Sequence, residues 1–342
     1  MEPKRIGDSA MRSTATQFLP RSRRDAEVAQ ERIKMAVPVE ALETDRRLLW
    51  GVCYRMTGNA ADADDLVQET FVRALTHPPK RSDQPARPWL IRVAMNLSLD
   101  LLRKRRRRGY VGEWLPSPVP TEGEDNPASF DPRAPGEDSP AARYEMIESV
   151  SFAFLLALEA LTPLQRAVLL LRDVFDYSTE ETAEALGISG SNGKVTLLRA
   201  RRRMQDYDKN KEALTPDRRE ATRHALEQFL LCLDKGDVRG LEQLFTEDII
   251  SISDGGGKVN AALNPIRGRA KLLRLITSLS AKLRSSPRAS LRNFNGLPAV
   301  LFEDVDSTST AATRYTVHIE VDCEGKIRRL DTVLAPDKLS AV

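Results

Sequence analysis

The 342-residue sequence is 41% hydrophobic and 30% charged, with a formal net charge of +3. That length exceeds one ordinary single-core domain and implies two or three. The near balance of charge excludes a simple polycation, so any field felt by a polyanion must come from a local basic cluster.

The three cysteines, Cys53, Cys232 and Cys323, lie far apart. They give neither a disulfide framework nor metal-ligand spacing, and they read as free buried thiols in a reducing cytosol. No apolar run approaches the roughly 18 residues of a membrane span, and the first residues lack the apolar core of a signal peptide. The expectation is a cytoplasmic protein with no membrane partner, no metal and no cofactor.

Residues 1–40 are polar and mixed in charge, with a basic cluster at Arg21, Arg23 and Arg24 and no sustained period; a disordered N-terminal extension is expected. A helical period then runs from residue 41 to 108. Within it Asn59 is placed to cap a helix whose third position is Asp62. Leu66, Val67, Thr70, Phe71, Ala74 and Leu75 are read on one face, and Asp62, Asp65 and Glu69 on another. An acidic first turn that complements the helix dipole accounts for these acids without any partner. A further helix follows Pro88, with Trp89, Leu90, Val93, Ala94, Leu97 and Leu101 as its apolar stripe and Arg92, Asn96, Asp100 and Arg103 on its polar side. It ends in six consecutive basic residues, 103–108. A solvated helix end is the plain reading of such a run, but an amphipathic helix leading straight into six cations favours phosphate contact.

Residues 116–140 hold seven prolines and six acidic residues against one arginine, Arg133, the composition of an extended, solvated linker. Helical pattern returns over 141–207. Thr162, Pro163 and Gln165 form a strong helix start, and Ser178 with Glu181 a second capping box. That second helix stops at Gly187. Ser189 caps the next, which carries Lys194, Arg199, Arg201, Arg202 and Arg203. Two helices about a short glycine turn, the second basic, describe a helix-turn-helix; a small bundle with a solvated basic helix fits equally well. After a charged stretch, 208–217, the pattern becomes α+β: helices over 221–233 and 268–283, strands over 249–253, 297–302, 312–321 and 327–334, and a turn at Glu324 and Gly325.

Taken together, these segments resemble the extracytoplasmic-function sigma factors. The run from Asp62 through Asp65, Leu66, Gln68 and Glu69 to Phe71 resembles the polymerase-binding helix of region two. Trp89, Arg92 and Asn96, followed by Asp100 and Arg103, resemble the part that reads the promoter −10 element. Leu161, Thr162, Pro163 and Arg166, then Ser178, Glu181, Leu186, Gly187, Ile188 and Arg199, resemble region four, which reads the −35 element. The likeness covers about residues 41–207. Three more segments are similar to the SigJ-like branch with a fused SnoaL-like domain. These are Tyr110 to Pro118, containing Trp114, Leu115 and Pro116; Asp254, Gly255, Gly256, Gly257 and Lys258; and Pro336, Asp337, Lys338 and Leu339. Ser117 stands where Glu is common in that branch, and Ala335 where Asn is usual.

The resemblance implies a multidomain chain. Two all-α domains, the second a helix-turn-helix, precede a C-terminal α+β SnoaL-like cone. The domain plan is an extension at 1–40, region two at 41–109, a linker at 110–140, region four at 141–207, a regulatory domain at 217–335 and a tail at 336–342. It implies core RNA polymerase and promoter DNA as partners and no catalytic residue. Asp62, Asp65, Leu66, Gln68 and Glu69 would meet polymerase. Trp89, Arg92, Asn96, Arg103, Lys104, Arg105 and Arg106 would serve the −10 element, with loop 76–87 receiving an unstacked base. Ser191, Asn192, Lys194, Arg199, Arg201 and Arg202 would serve the −35 element. Gly193 falls where an apolar anchor usually packs, and Gly inside a helix costs about 1 kcal/mol relative to Ala, so that helix is expected to start late or fray. The glycine segment and the C-terminal segment would dock on the first helical domain or the linker, glycine letting backbones approach closely. A cone of this type encloses a pocket, which makes an unidentified small molecule a candidate partner. Asp248, Asp254, His318 and Asp331 are the acid–base candidates if the cone were an enzyme. A helix-turn-helix regulator with a ligand-sensing domain is the other competing reading.

Overall fold

The computed structural model describes residues 39–77, 86–121, 145–281, 287–303 and 312–342. The expected disorder of the N-terminal extension, the base-receiving part of loop 76–87 and the linker beyond residue 121 lie outside the described residues.

Three helices, α1 (Val39–Thr57), α2 (Ala60–Thr76) and α3 (Ala86–Arg108), form the first helical segment. Asn59 is extended and its side chain accepts a hydrogen bond from the Asp62 amide, so α2 starts at the expected cap. Leu66, Val67 and Ala74 are buried, but Leu75 is 48% exposed. Nine residues at about 100° each carry Leu75 roughly half a turn away from Leu66, off the buried stripe. The second segment holds α4 (Phe152–Leu158), α5 (Pro163–Leu169), α6 (Thr179–Leu186), α7 (Gly190–Arg203) and α8 (Gln205–Asn210). Both capping boxes are formed, Thr162 with Gln165 and Ser178 with Glu181, and Gly187 closes α6 in the left-handed region.

The two segments share one apolar core. Leu49, Val52, Met56, Leu90 and Met95 pack in the same cluster as Phe154, Leu158, Val168 and Leu171. Two buried guanidiniums cross the seam. Arg55 donates to Ser149 Oγ at 2.7 Å and to the Met146 carbonyl at 3.2 Å. Arg166 donates to the Met56 carbonyl at 2.9 Å and pairs with Glu159 at 2.6 Å.

The third unit places α9 (Pro216–Lys235), α10 (Val238–Leu244) and α11 (Arg269–Ser280) on a six-stranded sheet. Its strands are β1 (Phe245–Asp254), β2 (Ile266–Arg267), β3 (Arg288–Phe294), β4 (Leu297–Glu303), β5 (Tyr315–Val321) and β6 (Ile327–Val333), in the order β2-β1-β6-β5-β4-β3. Only the β1–β6 pair is parallel. This is the α+β plan expected of the cone; α10, β2 and β3 had no clear signal in the sequence. Val300, Val317, Ile319 and Leu330 face Leu226 and Phe229 of α9. The alternate residues face the helical unit: His318 lies in register with Asp331 and Thr316 with Val333, and Val333 packs with Leu115, Phe152 and Leu156. The sheet is therefore covered on both faces, by its own helices and by the helical unit.

The hairpin joining β3 to β4 turns through Asn295 and Gly296, both at positive φ, the usual chemistry of a tight hairpin. Asn295 is 2% exposed and connects every unit. Its carboxamide nitrogen donates to Tyr54 Oη of α1 at 2.7 Å and to the Val150 carbonyl of the second segment at 2.6 Å. Its carboxamide oxygen accepts from the Val119 amide at 3.0 Å. The start of the linker thus departs from the expected solvated chain: Leu115, Ser117 and Val119 are buried, and Pro120 bridges to Phe294. Proline fixes an extended φ without needing a donor partner, which suits a strand laid in a groove as well as one in water. Of the cysteines expected to be buried, only Cys53 is; Cys323 is exposed. Among the described residues no helix is long and apolar enough to cross a membrane.

Replacing Asn295 by Ala leaves the Val150 carbonyl and the Val119 amide without their partner at once, while Tyr54 Oη keeps its bond to the Ser117 carbonyl at 2.7 Å. At about 1–3 kcal/mol for each group left buried and unpaired, the expected loss is at least about 2 kcal/mol. Denaturant unfolding monitored together with limited proteolysis between the units measures it.

Candidate functional site

At the end of β1 the chain turns through three glycines, and Asp254 enters a closed cluster. Its carboxylate accepts from Tyr110 Oη at 2.6 Å, from the Leu115 amide at 2.7 Å, from the Gly256 amide at 2.9 Å and from Lys338 Nζ at 2.5 Å. Asp254 and Lys338 are each 1% exposed. Lys338 also donates to the Leu115 carbonyl and lies over the rings of Trp114 and Tyr110, at 4.6 and 4.7 Å. Burial pulls its pKa down to about 8 against the attraction of Asp254. Gly256 and Gly257 have φ of +61° and +70°; a Cβ would stand 3.1 Å from Ala335 Cβ and 3.2 Å from Val111 Cβ, respectively. Both the backbone conformation and the close approach require glycine here. Lys258 and Asp337 complete the contact with an exposed ion pair at 3.4 Å, and Leu115 packs with Leu339. The structure thus brings together the three segments that were expected to dock.

The linker side of this cluster abuts the helices expected to meet polymerase and DNA. The Trp114 ring lies on Gly58, where a Cβ would come within 2.5 Å of it. Ser117 donates its amide to the Gly58 carbonyl at 2.9 Å and accepts the Ala60 amide on Oγ at 3.1 Å, holding the first turn of α2. Arg105 stacks over Trp114 at 4.6 Å and donates to the Thr57 carbonyl at 3.0 Å. Its place in a basic run suggested a phosphate ligand; in the structure it is turned inward onto the dock.

The other expected contact residues divide by exposure. On α2, Asp65, Gln68 and Glu69 are exposed. Asp62 is partly shielded, and burial raises its pKa although Arg105 and Lys338 oppose that. Leu66 is 6% exposed and belongs to the core, a correction to its expected surface role. On α3, Arg92, Arg103, Lys104 and Arg106 are exposed, and Trp89 and Asn96 half-buried. On α7, Ser191, Asn192, Lys194, Arg199 and Arg202 are exposed. Arg201, whose side chain is 41% exposed, makes a two-pronged pair with buried Asp173 at 2.9 and 2.6 Å, which ties α7 to the bundle. The expected late start of α7 is also overturned. Ser189 caps it by accepting from the Asn192 amide, and Gly193 is buried beneath Ile188 in an intact helix.

The acid–base candidates do not converge. Asp248 is exposed, and Asp254 is consumed by the dock. His318 stacks on Phe152 of α4 with centroids 4.0 Å apart and 22° between planes. Its Nε2 meets Thr316 Oγ1 at 3.1 Å, and burial lowers its pKa to about 3. Burial raises the pKa of Asp331 to about 6, while its ion pair with Arg329 at 2.8 Å pulls the other way. Residues without a clear signal in the sequence were Tyr54, Arg55, Phe152 and Asn295. Only Asn295 had a usable cue, the Asn-Gly dipeptide of a hairpin.

A family model described as Sigma-70 region 2 matches residues 42–108, and one described as Sigma-70, region 4 matches residues 151–204. ECF RNA polymerase sigma factor SigJ of Mycobacterium tuberculosis is 31% identical over 314 residues, covering 88% of this chain and 93% of that protein. SigG of the same organism is 38% identical over 218 residues, covering 61% of this chain and 59% of SigG. The crystal structure of Mycobacterium tuberculosis extracytoplasmic function sigma factor SigJ superposes with a TM-score of 0.61 at 28% identity, covering 88% of this chain and 98% of that one.

Removing one member of the Asp254–Lys338 pair strands a buried charge. Lys338→Met alone is expected to weaken docking by about 3–5 kcal/mol, and Asp254→Asn with Lys338→Met together by clearly less; denaturant midpoints of the single and double variants form the cycle. His318 sets a pH dependence. The docked fold keeps the ring neutral, so unfolding takes up a proton below pH 6.5, and its share of stability is lost as pH falls from 6.5 toward 3. Asp331 titrates in the opposite sense, so the difference between wild type and His318→Phe isolates the histidine. The wild type should lose more stability than the variant between pH 7 and pH 5, read by denaturant unfolding at each pH.

Proposed function

Because this chain belongs to the extracytoplasmic-function sigma factors of RNA polymerase, which direct the core enzyme to promoters, we propose that its third unit holds it in a closed state. Such a factor makes no covalent change; its work is to hold melted promoter DNA better than duplex, through differential binding. Asp65, Gln68 and Glu69 meet the core enzyme. Trp89, Arg92, Asn96, Arg103, Lys104 and Arg106 serve the −10 element. Lys194, Arg199 and Arg202, with Ser191 and Asn192 at the helix start, serve the −35 element, where the first turn of a recognition helix reaches base edges. We place this activity in the cytoplasm, with core polymerase and promoter DNA as partners, and we assign the third unit no reaction.

The −10 and −35 elements lie at opposite ends of a promoter, so region two and region four must part to grip both. In the closed state they share one core, and the third unit ties them to the linker and to each other. The observation that carries this reading is Arg105. It lies in the basic run of the −10 helix, yet it is spent on Trp114, beside the buried Asp254–Lys338 pair. Opening therefore frees a phosphate-binding cation and uncovers the first turn of α2 in one step.

The test is reconstituted transcription with core polymerase and the full chain. Gly257→Val, which forces a side chain against Val111 at a positive φ, is expected to raise core affinity and run-off transcript severalfold over wild type. A chain ending near residue 207 should not fall below the wild type. Equal core affinity for wild type and Gly257→Val, with the dock shown by proteolysis to be open in the variant, would overturn the closed-state reading.

A further inference from the structure

Between α4 and α8 of region four and the sheet of the third unit lies a cavity of about 220 Å³. That is below the roughly 300–1,000 Å³ of drug-sized pockets and corresponds to a ring system on the order of ten non-hydrogen atoms at interior packing density. Its walls come from both sides. Phe152 belongs to region four, while Phe294, Leu297, Pro298 and His318 belong to the third unit. Two flat groups, Phe152 and His318, already stack across the interface at one end of the cavity, with Phe294 tilted at 6.2 Å from the histidine.

The charges around the cavity are matched within the chain. Glu148 pairs with Lys211 at 3.3 Å, Glu212 with Arg218 at 3.3 Å and with Arg328 at 3.0 Å, Glu320 with Arg328 at 3.5 Å, and Asp331 with Arg329 at 2.8 Å. A charged ligand would lose hydration and compete with these pairs for its counter-charge. The imidazole of His318 is uncharged at neutral pH; Phe152 covers one of its faces and Thr316 Oγ1 engages Nε2, which leaves Nδ1 as its hydrogen-bonding edge.

We propose that this cleft is an effector site for a small, flat, uncharged aromatic molecule bearing one hydroxyl or carbonyl group, and that its occupant strengthens the closed state. The direction follows from the walls. A molecule that touches region four and the third unit together loses half its contacts when they part, so it binds the closed form better and shifts the population toward it. The site is thus one for a co-repressor, and it rests on the closed-state reading above. If only the closed form binds, a probe at ten times its dissociation constant should reduce the open fraction about tenfold.

The experiment titrates the full chain with 2-naphthol and 1-indanone, with 2-naphthoate as the charged control, by calorimetry, and repeats core-polymerase binding with each. The expected result is one saturable site for at least one neutral probe, at least tenfold weaker binding of 2-naphthoate, and core affinity reduced about tenfold at the stated excess. Ala153→Trp, at an exposed position on the cavity mouth, should abolish probe binding with little change in melting temperature. Phe152→Leu, which removes the stacking ring, should weaken it at least fivefold. No saturable binding of either neutral probe, equal binding to both variants, or a bound probe that leaves core affinity unchanged or raises it each overturns the proposal. The Gly257→Val comparison, made without any probe, reports separately on whether a closed state exists.

Discussion

A lysine and an aspartate, each almost wholly removed from water, meet where three distant parts of the chain converge. Burying two ions is costly, and their attraction offsets that cost only when the remaining hydrogen-bonding positions are also filled. Here they are. Asp254 receives the Tyr110 hydroxyl and two backbone amides, and Lys338 gives to the Leu115 carbonyl and lies over two aromatic rings. Apart from the Gly256 amide, which belongs to the same turn as Asp254, these partners are available only when linker, glycine turn and C-terminal turn are all in place. The pair therefore acts less as a source of raw stability than as a condition: it is satisfied in one arrangement and strongly penalised in any partly assembled one.

Around that condition the apolar contacts of the third unit with the helices are spread thinly enough to be reversible. Region two and region four share an ordinary close-packed core. The third unit touches them through smaller clusters, Leu115 with Val333 and Leu339, and Phe152 with His318, and through the carboxamide of Asn295. Each of these third-unit contacts is worth a few kcal/mol at most, so undocking of that unit is reversible; parting the shared core of region two and region four needs in addition a large partner that binds only the open form. A helical unit clasped by a sheet through a few polar anchors suits the closed state proposed above, which has to be held shut and yet remain openable.

Arg105 and Arg201 show how a charge run misleads. Both sit in basic segments, and by composition neither differs from its neighbours. One is drawn inward by two indole and phenol faces and a helix-end carbonyl, the other by a buried carboxylate. The neighbours Lys104, Arg106, Arg199 and Arg202 remain exposed. A guanidinium with a planar fork and a flat face is the side chain best suited to such inward roles, so a basic helix that serves a polyanion can also lend single arginines to its own scaffold.

What could be determined from the residues in order was whatever depends on near neighbours along the chain. Helix starts at Asn59, Thr162, Ser178 and Ser189, the stop at Gly187 and most strand spans follow from capping, periodicity and turn chemistry acting over a few residues, as does the basic end of α3. The docking segments were visible only through their resemblance to motifs of the SigJ-like branch; by themselves a glycine triplet and a Pro-Asp-Lys-Leu run read as turns. Only the tertiary structure decided that the proline-rich linker begins inside the protein, that Asn295 joins all the units, that Gly193 sits in an intact helix, and that His318 and Asp331 face region four. Those outcomes depend on which side chains, remote in sequence, exclude water from one another. Periodicity says which residues want burial, but the partner that buries them is chosen by packing in three dimensions.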